Sequence, residues 1–277
     1  MTIADDNLKS LCNNIINSGN NTLGESVRPK YRDGTPSHTI FVNQVFERYD
    51  LSKGELPIVT LRPVAWKSGI KEILWIYQDQ SNNLDLLKDK YGITWWDEWD
   101  IGDRTIGQRY GATVKRYSLI DKLLDNLKNQ PYGRRHIMNL YQEADLDETK
   151  GLYPCAMETQ WSVRDGYLDL TLIQRSSDVA VANAINKIQY VALQMMVARH
   201  VNLKPGVFCH YVNNAHIYDR HIDQIKEMIS RKPQLGHENV RLVLNPEKNN
   251  FYEFTIDDFI MENYDPVKPN FQFELAI

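Results

Sequence analysis

Cysteine is scarce in this chain of 277 residues: only three are present, at positions 12, 155 and 209. At that spacing they make neither a metal-ligand motif nor an even disulfide framework, so no metal is expected. The expected compartment is reducing and cytoplasmic. Proline and glycine are not in excess either, at 11 and 14 residues, and no repeat, linker or low-complexity segment interrupts the chain. No apolar run approaches the roughly 20 residues of a membrane span, and no membrane partner is expected. The opening MTIADDNLKS has no basic segment followed by an apolar one, so no secretory signal is expected. Positive charge is also wanting. The net charge of −4 gives nothing global to recruit nucleic acid or an anionic surface. An anionic ligand would therefore need a local cluster of arginines, held against the overall field.

What is present is the composition of an ordinary globule, 42% hydrophobic and 25% charged. The length is ample for a sizeable core. Residues 3–18 read as an amphipathic helix, with Leu8, Leu11, Cys12, Ile15 and Ile16 at helical spacing. Thr2 and Asp5 form a candidate capping box, and Gly19 is a stop. HTIFVNQVFERYD has strand character, and further helices are expected at about 66–79, 118–129 and 185–201. The strongest local signal is METQWSVRDGYLDLTLIQRSSD, in which two alternating runs flank Asp165-Gly166, a pair suited to a tight hairpin turn. GVFCHYVNNAHIYDRH reads as a strand running into a helix that ends near Arg231, with Cys209 a packing residue of that strand. One α+β domain over 1–277 accommodates these elements.

The stretch GLYPCAMETQ places Cys155 directly after a proline and before a strand-like run. A lone thiol there is either a nucleophile or a small apolar side chain. A phosphate loop of the Cys-x5-Arg kind is excluded, because the sixth residue after Cys155 is Trp161. No local cysteine-protease signature is present. Arginines stand at position 32 in a polar loop that also carries Arg28 and Lys30, at 134 and 135 in PYGRRHIMNLY, and at 175 after the hairpin. Adjacent arginines taken alone read first as a solvated corner, and four arginines near turn and strand ends in a net acidic chain also admit a bidentate phosphate clamp.

GLYPCAMETQW, LIQRSSDVAVANAIN and NNAHIYDRH, in this order and spacing, resemble the thymidylate synthase family. RDGTPSHTIF resembles the family's phosphate loop, KEILWIYQ its glutamate-bearing helix, and WWDEW with GQRYGA its folate-side segment. GRRHI resembles the paired-arginine segment and YDPVKPNFQFELAI the C-terminal tail, so the likeness covers roughly residues 28–277. It implies an α/β (α+β) fold, a large mixed twisted sheet flanked by helices, packed back to back with its twin in a homodimer. The implied reaction is methylation of dUMP to dTMP, with 5,10-methylenetetrahydrofolate as donor of both the carbon and the hydride.

By that resemblance Cys155 is the nucleophile that adds to carbon 6 of uracil, and Arg175 both lowers its pKa and binds phosphate. Arg32, Arg175 and Ser176 bind the phosphate, joined by Arg134 and Arg135 from the other subunit. Asn186 reads the pyrimidine, since a carboxamide pairs one donor and one acceptor with uracil; taken alone, it reads first as a helix N-cap. Glu72 organises water and proton transfer, and a carboxylate on an apolar helix face is costly to bury unpaired. Tyr110 assists removal of the carbon 5 proton. Gln174 supports the pocket, and His216 and Tyr218 bind the deoxyribose hydroxyl. On the folate side Asp178 accepts from the pterin, Trp96 and Val181 line the cofactor with Trp99 nearby, and terminal Ile277 belongs to a closing lid. Trp95 fits either the site or an aromatic core.

Two departures from the family pattern stand out. Ala156 occupies the place of a histidine whose hydrogen-bond network lies near the uracil carbonyl, and DVAVANAIN lacks the glycine and proline that usually precede the asparagine. Both features belong to a minority branch. Two other functions fit the same residues less well. Pyrimidine hydroxymethylation would deliver water to the transferred carbon; Asn186 opposes dCMP as its substrate, while nothing local excludes hydroxymethylation of dUMP. A nucleotide- or RNA-binding protein without turnover would have no use for Cys155, Glu72, Tyr110 and Asn186 together, and nucleic acid is not required.

Overall fold

The computed structural model describes residues 2–233 and 239–277. Helix α1, Ile3–Ser18, begins where its capping box closes: Asp5 N–H donates to the Thr2 hydroxyl, and the Asp5 carboxylate accepts from Thr2 N–H. That same carboxylate also accepts from the backbone and hydroxyl of buried Thr60, at 2.7 Å each. One acidic residue therefore starts the helix and ties it to the segment that leads to α2.

The strands are β1 (Asn20–Asn21), β2 (Thr39–Asp50), β3 (Ile137–Asn139), β4 (Ala156–Arg164), β5 (Tyr167–Gln174), β6 (Ser177–Asp178), β7 (Lys204–Tyr218), β8 (Arg241–Leu244) and β9 (Phe259–Glu262). Seven of them form one sheet in the order β1-β2-β7-β5-β4-β3, with β6 beside β7, while β8 and β9 pair separately. The large sheet is mixed: β5 and β6 run parallel to β7, and its other pairs are antiparallel. The expected hairpin joins β4 to β5, and its turn residues Asp165 and Gly166 take φ of 49° and 79°. Positive φ at both central residues is the requirement of a type I′ turn. A register shift between Ala156 and Glu158 bulges β4 at its start, immediately after Cys155.

The remaining helices are α2 (Trp66–Ile73), α3 (Leu84–Tyr91), α4 (Gly111–Tyr117), α5 (Leu119–Asn129), α6 (Glu143–Glu148), α7 (Asn183–His200) and α8 (Ile222–Ser230). The helix expected over 66–79 is α-helical only as far as Ile73, and a π-helical turn carries it over Leu74–Gln78. The apolar pattern is blind to that change of pitch, since all of Leu74, Trp75, Ile76 and Tyr77 are buried. α2 packs against α7 through Gly69, where a Cβ would meet Ile185 Cγ2 at 3.0 Å and Gln189 Cγ at 3.1 Å. This close approach brings Glu72 opposite Gln189.

A buried ion pair fastens α7 to the sheet. Lys187, wholly inaccessible, donates to Glu47 of β2 at 2.7 Å, and Tyr49 donates to the same carboxylate oxygen at 2.8 Å. Burial alone would push Glu47 up, but the Lys187 ammonium holds it below the usual carboxylate range. Removing one partner of such a pair leaves an uncompensated buried charge, at a cost of about 3–5 kcal/mol. Lys187→Met is therefore expected to lose about that much stability in urea unfolding, and adding Glu47→Gln in the same chain is expected to restore a large part of it.

Candidate active site

A cavity of about 320 Å³ opens at one end of the large sheet, between α2, α7, the start of β4 and the C-terminal tail. Cys155 lies on its wall, and Arg175 holds the segment that delivers it. The Arg175 backbone N–H donates to Cys155 O at 3.0 Å, its Nε to Pro154 O at 3.0 Å and its Nη2 to Tyr153 O at 2.7 Å. The same Nη2 stands 3.5 Å from Cys155 Sγ. Burial pushes the thiol above its usual range, and Arg175 and Arg28 pull it down without overcoming the burial. The Arg175 guanidinium acts on the thiol in the expected sense, and desolvation is the larger effect.

Tyr110 sits behind the nucleophile, its hydroxyl accepting from Cys155 N–H at 3.1 Å. Its backbone, with φ 47° and ψ −108°, lies in a region costly for a residue with a side chain, by about 1–3 kcal/mol. Next to it Arg109 is buried and donates to Thr149 O at 2.6 Å and Leu146 O at 3.2 Å. Those bonds hold the C-terminal end of α6 and so the approach to Cys155. Tyr110 packs edge-on against Trp96, with centroids 5.3 Å apart.

Glu72 projects from α2 into the cavity. Trp95 Nε1 donates to its carboxylate at 2.6 Å, which assigns Trp95 to the site rather than to the core alone. Burial pushes Glu72 up to about 7, while Gln189, Trp95 and Trp96 act in the opposite direction. A carboxyl with that pKa can take and return protons near neutrality. Trp96, Trp99 and Val181 continue this wall, with Asp178 beyond them. One Asp178 oxygen, Oδ1, accepts from the N–H groups of Ala180 at 2.8 Å and Val181 at 3.2 Å, which fixes the carboxylate at the cavity edge.

Asn186 and Ser176 line the cavity, as do His216 and Tyr218 from the end of β7. The two β7 rings meet edge to face with centroids 5.1 Å apart, and burial keeps His216 below its usual pKa. Gln174 is buried behind the wall rather than on it, donating to Asn186 Oδ1 at 3.1 Å. The tail reaches the mouth: Ile277 N–H donates to Lys30 O at 3.0 Å and Lys30 N–H donates to Ile277 O at 2.8 Å. Arg220 steadies this corner by bonding Glu274 at 3.0 Å and Asp33 at 2.8 Å.

Three arginines named from the sequence are not on this wall. Arg32 is exposed and donates to Glu98 at 2.7 Å. Tyr31 is the buried residue of that loop, and its hydroxyl bonds Asp219, so the chain turns at Tyr31 and carries Arg32 away. Arg28, three residues before Tyr31, supplies the loop's guanidinium to the cavity instead. Its only sequence signal was membership of a basic loop. Arg134 and Arg135 are exposed between α5 and β3, away from the cavity of their own chain. Among the described residues no cluster of His, Cys, Asp or Glu suits a metal, and no helix is long and apolar enough to cross a membrane.

A family model described as thymidylate synthase matches residues 6–277. The chain is 51% identical over 283 residues to a thymidylate synthase of Lactococcus lactis subsp. lactis, with both chains covered in full. It is 50% identical over 283 residues to one of Streptococcus pyogenes serotype M3, again over the whole of both. Among solved structures, thermostable thymidylate synthase A from Bacillus subtilis matches with a TM-score of 0.91 at 39% identity, covering 99% of each chain.

The displaced pKa of Glu72 has a consequence for stability. In the fold the carboxyl ionises at about 7, against 4.5 as an ordinary glutamate, so the folded state holds an extra proton between those values. Stability therefore falls as pH rises through that window, and the penalty is complete above it. Glu72→Gln removes the penalty. At pH 8 the variant is expected to exceed the parent by on the order of 1–3 kcal/mol in urea unfolding, a gain that vanishes near pH 4.

Proposed function

This chain belongs to the thymidylate synthase family, and on that premise we propose that its cavity methylates dUMP by covalent catalysis through Cys155. Family membership makes it a methyltransferase of nucleotide biosynthesis that converts dUMP to dTMP with a folate cosubstrate. The observation that carries the finer reading is the approach of Arg175 Nη2 to Cys155 Sγ at 3.5 Å, in a cavity that also holds Glu72, Tyr110 and Asn186.

In this reading Cys155 Sγ bonds to carbon 6 of the pyrimidine, the thiol proton leaves, and the displaced electron pair becomes an enolate on the ring. A guanidinium beside the sulfur favours the thiolate when the proton departs. Arg28, Arg175 and Ser176 hold the phosphate, while His216 and Tyr218 hold the sugar hydroxyl. Asn186 keeps one N–H and one lone pair for the ring, complementary to a carbonyl and the adjacent imide N–H of uracil. Glu72, poised near neutrality, relays protons to and from the ring through water. Tyr110 supports loss of the carbon 5 proton.

The wall formed by Trp95, Trp96, Trp99 and Val181 suits a flat ring, and the Asp178 carboxylate at its edge suits ring N–H donors. These residues fit 5,10-methylenetetrahydrofolate, which supplies a one-carbon unit and a hydride. Docking of the tail through Ile277 and Lys30 keeps bulk water out. For the homodimer, support comes from an apolar row across the exposed sheet face, where Phe46, Tyr211 and Ile173 sit in register on three adjacent strands. A second copy on that face would bring the exposed Arg134 and Arg135 to its partner's phosphate site.

Mixing the protein with 5-fluoro-dUMP and methylenetetrahydrofolate is expected to give a covalent adduct whose peptide maps to Cys155. Cys155→Ser is expected to abolish the adduct and to lower dihydrofolate formation by about 10³-fold or more. An adduct on Cys12 or Cys209 would overturn the assignment, and a hydroxymethyl product by mass would replace methylation with hydroxymethylation. Loss of a charged hydrogen bond to phosphate costs about 1.5–3 kcal/mol, roughly 10- to 150-fold. Arg28→Ala is expected to raise KM for dUMP by that order, while Arg32→Ala changes it less than about threefold.

A further inference from the structure

Arg109 is a buried cation that the reaction as read above does not use. Only 1% of its surface is exposed, and among the described residues no carboxylate bonds its guanidinium. A cation buried without an ion pair is costly unless other groups meet its N–H donors. Here they are met at the C-terminal end of α6, where the last carbonyls of a helix have no partner of their own. Nη1 bonds Asp145 O, and Nη2 donates to Leu146 O at 3.2 Å and to Thr149 O at 2.6 Å. From Thr149 the chain runs on to Cys155, and on the way the Tyr153 ring covers the guanidinium at 5.4 Å, a contact that needs no set direction.

Arg109 directly precedes Tyr110, whose backbone stands at φ 47° and ψ −108°. Such a conformation persists only where its surroundings over-determine it. Both flanks do so here. On the far side, Gly111 lies so close to Ser81 that a Cβ would collide with the Ser81 carbonyl oxygen. On the near side, a Cβ at Gly107 would stand 2.5 Å from Lys150 O and 2.6 Å from Thr149 Oγ1. Gln108 N–H donates to that hydroxyl at 2.8 Å. The strained residue sits between these two anchors, and its own hydroxyl accepts the N–H of Cys155 at 3.1 Å.

The glycine contacts bring the segments at 107–111 and 149–151 together but carry no directional bond, whereas the guanidinium bonds fix one segment against the other in both distance and angle. We propose that Arg109 is a positioning residue: by tying the flank of Tyr110 to residues 145–149 it holds Tyr110 in its strained conformation, and so sets where Cys155 Sγ stands relative to the bound pyrimidine. This rests on the reading of Cys155 as the nucleophile. Arg109 works through Tyr110 and not through charge at the sulfur, since the cations that act on the thiol are Arg175 and Arg28.

The test is a double-mutant cycle on the intact protein, read as the rate of covalent adduct formation with saturating 5-fluoro-dUMP and methylenetetrahydrofolate. Carbon 5 of the fluorinated ring has no proton to lose, so this rate excludes the later proton loss. Folding is checked by thermal melting and dUMP binding by calorimetry. Arg109→Met is expected to slow the adduct by about 10- to 100-fold, the order that a misplacement of about 1 Å costs. In a Tyr110→Phe background the same substitution is expected to cost less than about threefold, because residues that act through one another are not additive. Its effect on the dissociation constant for dUMP is expected to stay below about threefold in either background. Arg116→Met is the control: Arg116 bonds Asp145 and Glu148 of the same α6, and its loss is expected to lower the melting temperature while leaving the adduct rate within about threefold of wild type. Should Arg109→Met not fold, Arg109→Lys, which can keep one carbonyl but not bridge Leu146 and Thr149, carries the same cycle. Equal losses in the two Tyr110 backgrounds, an equal loss in Arg116→Met, or an unchanged rate in folded Arg109→Met would each overturn the proposal while leaving the reading of Cys155 intact. A wild type that forms no adduct would overturn both.

Discussion

The contacts of Arg175 with residues 153–155 are the constraint from which the site is assembled. Three donors of one residue, its backbone N–H, Nε and Nη2, are spent on the carbonyls of Cys155, Pro154 and Tyr153. A proline at 154 removes one N–H from that turn, and the bulge after Ala156 breaks the ladder on the other side. With so little regular pairing nearby, the guanidinium takes over the work of a strand partner. It thereby sets the position of the nucleophile relative to β5, and β5 is the strand whose end leads to Ser176, Asp178 and α7.

The rest of the site is built from groups that are costly to bury, each made tolerable by a partner on a different element. Glu72 from α2 is met by Trp95 from the loop after α3 and faced by Gln189 from α7. Lys187, one residue beyond Asn186, is neutralised by Glu47 of the sheet. These pairings cost desolvation free energy and fix α7 in rotation and height, since a shift of one residue would separate all of them at once. Rigid placement of Asn186 follows from where its neighbours are buried.

Much of this was legible in the chain. The capping box of α1, the Asp165-Gly166 hairpin and the limits of β2 and α7 follow from local chemistry that does not depend on distant residues. The role of Cys155 became readable only from the motifs around it taken together. Less visible were features decided by packing: the π-helical turn after Ile73, the irregular backbone of Tyr110, and the choice between Arg28 and Arg32. In that last case the loop contains several basic residues, and the burial of Tyr31 against Asp219 selects which one faces inward.

By itself the sequence determined the order of the elements, their faces and the set of chemically able side chains. Those properties are set by residue type and short-range spacing, through periodicity, capping and turn geometry. Only the tertiary structure decided the near-neutral ionisation of Glu72, its meeting with Trp95 and the net upward shift of Cys155. Each of these depends on the distance and burial between groups that lie tens of residues apart, and electrostatic and hydrogen-bond energies are functions of that distance rather than of sequence separation.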